Sequence, residues 1–412
     1  MHQATVTAGE LLGYISAALL TQLVAACIFI ALRHRWVVAP SDGIGAAPLC
    51  VPEGAWPGWR AFRVRVRDDE DDALSQASFY LEPVDGQPLP PYRAGQFLTL
   101  QVDVTDAQGE RRPVTRCYSL SDRHDPQAYR ITVKRLSAPR GRPDVPPGLV
   151  SSHLHDRVAP GAILQARAPA GAFVLDDDAR VPAVLIAGGI GVTPLFAMAR
   201  AALATQPDRA IQLIYGVRNS REIVFENALG ALQYGHPNFH VTIVQSAPLP
   251  GETTGHGSSA TGIIDVALLR HLVPHGEHHF YVCGPPPMMA SLIPALRDWG
   301  VTDAAIHFEA FGPASVDPPA SPAAALATPI AVRFARAGRT LSWTGEDASL
   351  LDFAERHGVA VESGCRSGSC GTCETRIVAG TLRVARAPAF AVAAGCCLLC
   401  MSAPTSDLVL DA

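Results

Sequence analysis

The stretch Glu362-Ser363-Gly364-Cys365-Arg366-Ser367-Gly368-Ser369-Cys370-Gly371-Thr372-Cys373 sets three cysteines at C-x4-C-x2-C spacing, and Cys400 follows in Leu398-Leu399-Cys400-Met401. Four thiolates in this order are the plant-type [2Fe–2S] pattern. Two sulfide-bridged irons need four soft anionic ligands, and the loop that carries three of them must wrap closely. Gly364, Gly368 and Gly371 permit that approach and leave amide N–H groups free to point at sulfur. Spacing and glycine content favour the cluster over a zinc site, a disulfide knot or buried free thiols. The predicted ligands are Cys365, Cys370, Cys373 and Cys400. Cys400 follows Cys373 after 26 intervening residues and competes with Cys396 and Cys397 for the fourth place. A cluster moves single electrons, so the rest of the chain must supply or take them.

At 412 residues the chain is long for one domain, and about three are expected. A net charge of −5 and the lack of a basic patch argue against nucleic acid as a partner. Leu11 to Leu32 holds 22 residues without a charge. As a helix it would be about 33 Å long, enough for a bilayer core of about 30 Å. No Lys or Arg precedes it, and Arg33, Arg35 and Trp36 follow it. That asymmetry predicts a single-pass anchor in the inner (cytoplasmic) membrane, with the catalytic domains in the cytoplasm, and not a signal peptide. Residues 33–56 then read as a juxtamembrane linker.

From Trp59 onward, apolar and polar residues alternate, as in Phe62-Arg63-Val64-Arg65-Val66, the period of a half-buried strand. Further short strands fall at Ser78–Leu81, Gly95–Val102, Arg116–Leu120 and Tyr129–Lys134, with turn residues between them. Residues 57–178 are therefore expected to form an antiparallel β-barrel. The acidic run Asp68–Asp72 reads as a solvated loop. At Val181 the pattern changes to continuous apolar runs: Val181–Ala187, Ile211–Tyr215, His240–Val244 and His279–Cys283. Alternating with helical stretches, the first of them Leu195–Leu203, these predict a doubly wound α/β domain over 179–312. A Pro/Ala-rich linker (313–328) leads to an α+β domain over 329–412, opening with a hairpin and a helix near Ser349–His357. His271, His275, His278 and His279 lack a second ligand set at metal spacing and read as a solvated loop.

Arg116-Cys117-Tyr118-Ser119 resembles the flavin signature of the ferredoxin–NADP reductase superfamily, and the likeness runs from about Trp59 to Gly312. With the C-terminal ferredoxin-like (β-grasp) module, the layout is similar to the reductase components of bacterial oxygenases. It is also similar to the electron-transfer half of flavohaemoglobins. The resemblance implies that Arg116 forks onto a flavin phosphate, Tyr118 lies against the isoalloxazine and Ser119 reaches flavin N5, beside Leu120, Val133 and Lys134. Gly148-Leu149-Val150-Ser151-Ser152 would open a short helix on the flavin pyrophosphate, which favours FAD over FMN. Gly188-Gly189-Ile190-Gly191-Val192-Thr193-Pro194 would take the nicotinamide dinucleotide, with Cys283-Gly284-Pro285 where nicotinamide meets flavin. Cys283 would then position and not ligate. Glu309 and Phe311 would close the flavin site. Arg218 follows the second parallel strand, where 2′-phosphate readers carry basic residues, but NADH enzymes also have Arg there, so NADH or NADPH would serve.

Taken together, these parts predict a membrane-anchored reductase of the EC 1 class. It would pass electrons from NAD(P)H through FAD and a [2Fe–2S] cluster to a protein acceptor: an oxygenase, hydroxylase, desaturase or cytochrome. Two rivals are a redox sensor with little turnover and a reductase of a small acceptor such as ferric chelate, nitric oxide or a quinone.

Overall fold

The structure, a computed structural model, describes residues 55–105, 111–138, 146–251, 258–311, 328–366, 368, 370–384, 388 and 392–412. The chain divides into two units, Met1–Gly45 and Ala46–Ala412, and every described residue belongs to the second. The predicted membrane span, the juxtamembrane linker up to residue 54, and residues 313–327 of the Pro/Ala-rich linker lie outside the described residues. Among the described residues, no helix is long and apolar enough to cross a membrane.

Six strands form the first sheet: β1 (Arg60–Asp69), β2 (Gln76–Pro83), β3 (Phe97–Thr105), β4 (Arg111–Ser119), β5 (Tyr129–Lys134) and β6 (Ile163–Ala166). They are antiparallel in the order β4-β3-β6-β1-β2-β5. The two edges meet at a single bridge, Leu120 to Ile131. Alternation along β1 buries Phe62 and Val64 and exposes Arg63 and Arg65. A bulge between Val64 and Val66 then shifts the register, so Val66 is exposed where strict alternation would bury it. The acidic run is not simply a solvated loop. β1 extends to Asp69, and buried Asp71 organises the turn by accepting from the Ser75 and Gln76 amides, each at 2.9 Å.

α1 (Leu149–Arg157) lies between β5 and β6 in sequence. A parallel sheet follows: β7 (Ala183–Gly188), α2 (Val192–Thr205), β8 (Ile211–Val217), α3 (Glu226–Gly235), β9 (Phe239–Gln245), β10 (Ser258–Thr261), α4 (Val266–Leu272), β11 (His279–Gly284), α5 (Pro286–Asp298) and β12 (Ile306–Ala310). Its order is β10-β9-β8-β7-β11-β12. Every residue of β7 is buried, as its unbroken apolar run requires of a strand covered on both faces. Successive strands run outward from β7 to one side, and β11 then starts on the other side. The switch point therefore falls between β7 and β11, and the crevice at their C-terminal ends is where such sheets bind ligands. The two sheets are tied by Lys134–Glu222 at 3.0 Å and by the guanidinium of Arg130 on β5, 4.6 Å from the Phe225 ring centroid.

The last domain contains β13 (Ile330–Phe334), β14 (Arg339–Trp343), α6 (Leu350–Arg356), β15 (Glu374–Ala379), β16 (Leu382–Val384), β17 (Cys396–Leu398), β18 (Ser402–Pro404) and β19 (Leu408–Leu410). A mixed sheet of order β14-β13-β19-β15-β17 packs on α6, with Phe334, Trp343, Leu350 and Phe353 in its core. Ser349 caps α6 by accepting from the Asp352 amide.

Candidate functional site

The crevice at the switch point is lined by backbone. Gly188 and Gly284 face one another: a Cβ added to Gly284 would stand 3.1 Å from the Gly188 Cα. A Cβ at Gly191 would collide with the carbonyl of Cys283, so only glycine lets the first turn of α2 approach β11 this closely. Thr193 Oγ1 donates to the Ile190 carbonyl at 2.9 Å and fixes the turn, while Pro194 continues α2. Gly189 and Lys134 are neighbours, the Lys134 ammonium 4.0 Å from a Cβ built on Gly189. Gly188, Gly189, Ile190, Gly191, Thr193, Pro194, Cys283, Gly284 and Pro285 thus gather at one place. Arg218, at the end of β8, is exposed.

At the floor of this crevice, Cys283 and Glu309 are register partners on β11 and β12. Ser119, at the end of β4, donates to Glu309 Oε2 at 3.4 Å, so residues of both domains meet here. Burial holds the Cys283 thiol well above its usual range, with the Glu309 carboxylate adding to it, so Cys283 is a neutral thiol and not a nucleophile. The Glu309 carboxyl is desolvated although the residue keeps some exposed surface. Burial first, then the charge of Cys365, push its pKa up to about 8, and the Ser119 hydrogen bond opposes them. Phe311 packs, partly buried, against the core of the nucleotide domain.

Arg116 and Tyr118 are half-buried on β4. Burial, then nearby Arg366, lower the Arg116 pKa, and burial raises that of the Tyr118 phenol. Leu120 and Val133 are buried in the same sheet. α1 opens at Gly148 with no side-chain cap and no acidic residue in its first turn, which leaves its first N–H groups for an anion. Ser151 Oγ donates to the Gly148 carbonyl at 3.1 Å, while the buried Ser152 hydroxyl has no partner within the protein. An orphaned hydroxyl beside free helix N–H groups and a half-buried Arg fit a flavin phosphate. Leu149 and Val150 complete that turn.

In the cluster loop the four cysteines form two pairs. The Cys365 amide donates to Cys370 Sγ at 3.2 Å, and the Cys370 amide to Cys365 Sγ at 3.3 Å. Cys373 and Cys400 are near enough for their thiols to interact, with the Gly368 backbone beside Cys400. Counted with Cys397, the chain carries two C-x2-C pairs, which is also the spacing of a zinc site. The structure separates them. Cys397 is buried on β17, in register with Thr375, and Cys373 pairs with Cys400. Among the described residues, no three of His, Cys, Asp and Glu surround one point as a single metal ion requires. Two cysteine pairs suit two irons. The buried Thr372 hydroxyl is unpaired and, like Cys370 Sγ, stands about where a Cβ on Gly364 would intrude, at 3.0 and 2.9 Å. This polar cradle fits a [2Fe–2S] cluster held by Cys365, Cys370, Cys373 and Cys400.

Two domain families match this chain: an oxidoreductase NAD-binding domain over residues 185–292 and a 2Fe-2S iron-sulfur cluster binding domain over residues 334–405. Phthalate dioxygenase reductase shares the whole layout at 26% identity, covering 86% of this chain and 98% of its own, with a TM-score of 0.53. The chain belongs to the ferredoxin–NADP reductase superfamily. The FAD/NAD-binding domain of a Vibrio cholerae nitric oxide dioxygenase is 30% identical, covering 62% of this chain and 99% of its own, with a TM-score of 0.54. A flavohemoprotein of Rhizobium meliloti is 37% identical over 260 residues, 63% of this chain; the chain spans 62% of that protein's length. The protein is thus an oxidoreductase whose domains serve FAD, NAD(P)H and a [2Fe–2S] cluster.

Sequence reasoning missed several site residues. Arg366, at φ 57° inside the cluster loop, lies near Arg116 and pairs with Asp352 at 3.5 Å and with Glu355. Met401 packs against Gly368 so closely that a side chain there would overlap its sulfur. Neither belongs to a periodic pattern. Nor are all four histidines loop residues: buried His278 precedes β11, and His279, on β11, hydrogen-bonds His307 at 3.0 Å.

Proposed function

We propose that the protein is an NAD(P)H-dependent reductase that passes electrons through FAD to its [2Fe–2S] cluster and on to a protein acceptor, such as an oxygenase, hydroxylase, desaturase or cytochrome. The observation that carries this reading is the meeting of three domains at Glu309. Its carboxyl is bonded to Ser119 of the flavin sheet, paired in register with Cys283 of the nucleotide domain, and close enough to Cys365 of the cluster loop to feel its charge. Flavin chemistry supplies the change from paired to single electrons. The chain's own residues bind and orient: Arg116 and the α1 turn hold phosphate, the Gly188–Gly191 turn admits a dinucleotide, and Glu309 keeps a proton beside Ser119.

The likeness to phthalate dioxygenase reductase favours a protein acceptor. The flavohemoprotein relatives favour a second reading, in which electrons leave for a small acceptor such as nitric oxide. The anchor expected over residues 11–32 is part of the proposal and would place the catalytic domains at the cytoplasmic face of a membrane. Steady-state NADH or NADPH oxidation with ferricyanide, and then cytochrome c, tests the reductase. Turnover with both is expected; none with either would refute it. Flotation of the full chain with lipid vesicles, lost when residues 1–36 are removed, tests the anchor.

A further inference from the structure

Beside the cluster loop the last domain carries a cavity of about 550 Å³. Of the four ligand cysteines, only Cys373 lines it. Thr372 lines it too; the residue is 6% exposed, and its hydroxyl has no partner within the protein. Three carboxylates stand in the walls: Glu362, Glu374 at the start of β15, and Asp411 just after β19. Arg336, also in the wall, neutralises Asp411 at 3.1 Å. Arg167, just beyond β6 of the flavin sheet, reaches Glu362 only at 3.8 Å. Glu374 accepts the Ala393 amide at 2.6 Å and has no cation within ion-pair distance among the described residues. The cavity is left with net negative charge and one unmet hydroxyl. Every described residue that lines it belongs to the last domain, so it stays open while Arg167 holds that domain to the flavin sheet.

We propose that this cavity is where the protein acceptor docks, seating a lysine or arginine side chain among Glu362, Glu374 and Thr372 and so bringing its own redox centre to the Cys373 side of the cluster. This rests on the reading of a protein acceptor. Each encounter moves one electron, oxidising the cluster and reducing the acceptor by one. The test uses the full-length holoprotein with cytochrome c, a lysine-rich haem protein, and with cytochrome c whose lysines are acetylated. Glu362→Gln/Glu374→Gln removes both charges and keeps an acceptor for the Ala393 amide. It is expected to raise KM for cytochrome c about tenfold, with kcat within about twofold, and to flatten the dependence of KM on salt. Acetylated cytochrome c should show the same rise with the parent and no further rise with the variant, because each partner then lacks its half of one interaction. A KM and a salt dependence equal to the parent's in the double variant and in Glu374→Arg would overturn the proposal. So would parallel losses of cytochrome c and ferricyanide turnover in both variants, which would make these carboxylates structural. A parent that reduces ferricyanide but not cytochrome c would instead overturn the protein-acceptor reading, and this inference with it.

Discussion

The nucleotide crevice and the cluster loop both depend on glycine and on backbone N–H groups, but they are built in opposite ways. The crevice is a product of topology: where β7 and β11 diverge, Gly188, Gly191 and Gly284 let strand ends and a helix start come together. Regular elements hold it from both sides. Among the described residues from Val361 to Cys373 the loop has no helix or strand, and it is held by sulfur: reciprocal amide-to-Sγ bonds, the Cys373–Cys400 pair, and a sulfur-filled space against Gly368. One site should survive loss of its ligand; the other should depend on its metal, because metal binding and folding are coupled when ligands must be gathered from loose chain.

The largest break between the two regions is expected from Cys373→Ser. This ligand lies in the core of the ferredoxin-type domain. The variant should lose the cluster absorbance and at least about 100-fold of cytochrome c reduction, while NAD(P)H-to-ferricyanide turnover through the flavin persists. Gly191→Ala acts on the other side. Its methyl meets the Cys283 carbonyl and must displace α2 or β11, so reduction of the flavin by NAD(P)H should slow about 10- to 100-fold by rapid mixing, with cluster content unchanged.

Glu309, between the two regions, provides a pH test. Its folded pKa of about 8 stands above the ordinary carboxyl value of 4.5. Between those values the folded protein holds a proton that the unfolded chain has released. The stabilising effect of that proton, full below pH 4.5, is lost as pH rises toward 8. The melting temperature should therefore fall by several degrees from pH 5 to 8 in the parent, and less steeply in Glu309→Gln. The smallest effect belongs to Arg167→Ala. Its pair with Glu362 is long and partly exposed, worth about 1 kcal/mol or less. Cluster reduction should slow less than about threefold, and the difference should vanish at high salt.

The same contrast decides how much could be read without coordinates. β7 was legible because a buried parallel strand is one apolar run, and the hairpin β13–β14 because its period is two. The helix after Gly191 was placed by its glycines but begins earlier and runs longer, Val192–Thr205, because Thr193 and Pro194 enter its first turn. Three ligands were legible from spacing alone. The fourth, Cys400, was preferred from its Leu398-Leu399-Cys400 setting, and the register of β17 on β15 pairs Cys397 with Thr375. Residues acting between domains left no trace in the sequence. Arg366 and Arg167 sit in ordinary local settings, and only the docking of distant segments brings them beside Arg116 and Glu362.

Rapid mixing under anaerobic conditions tests the central claim most directly. The protein, with flavin and cluster in place, would be mixed separately with NADH and NADPH and followed by absorbance. Bleaching of the flavin band near ~450 nm, followed by slower loss of the broad cluster band, is the predicted order, and the faster nucleotide identifies the donor. Flavin bleaching with a cluster that stays oxidised would contradict the account at its last link.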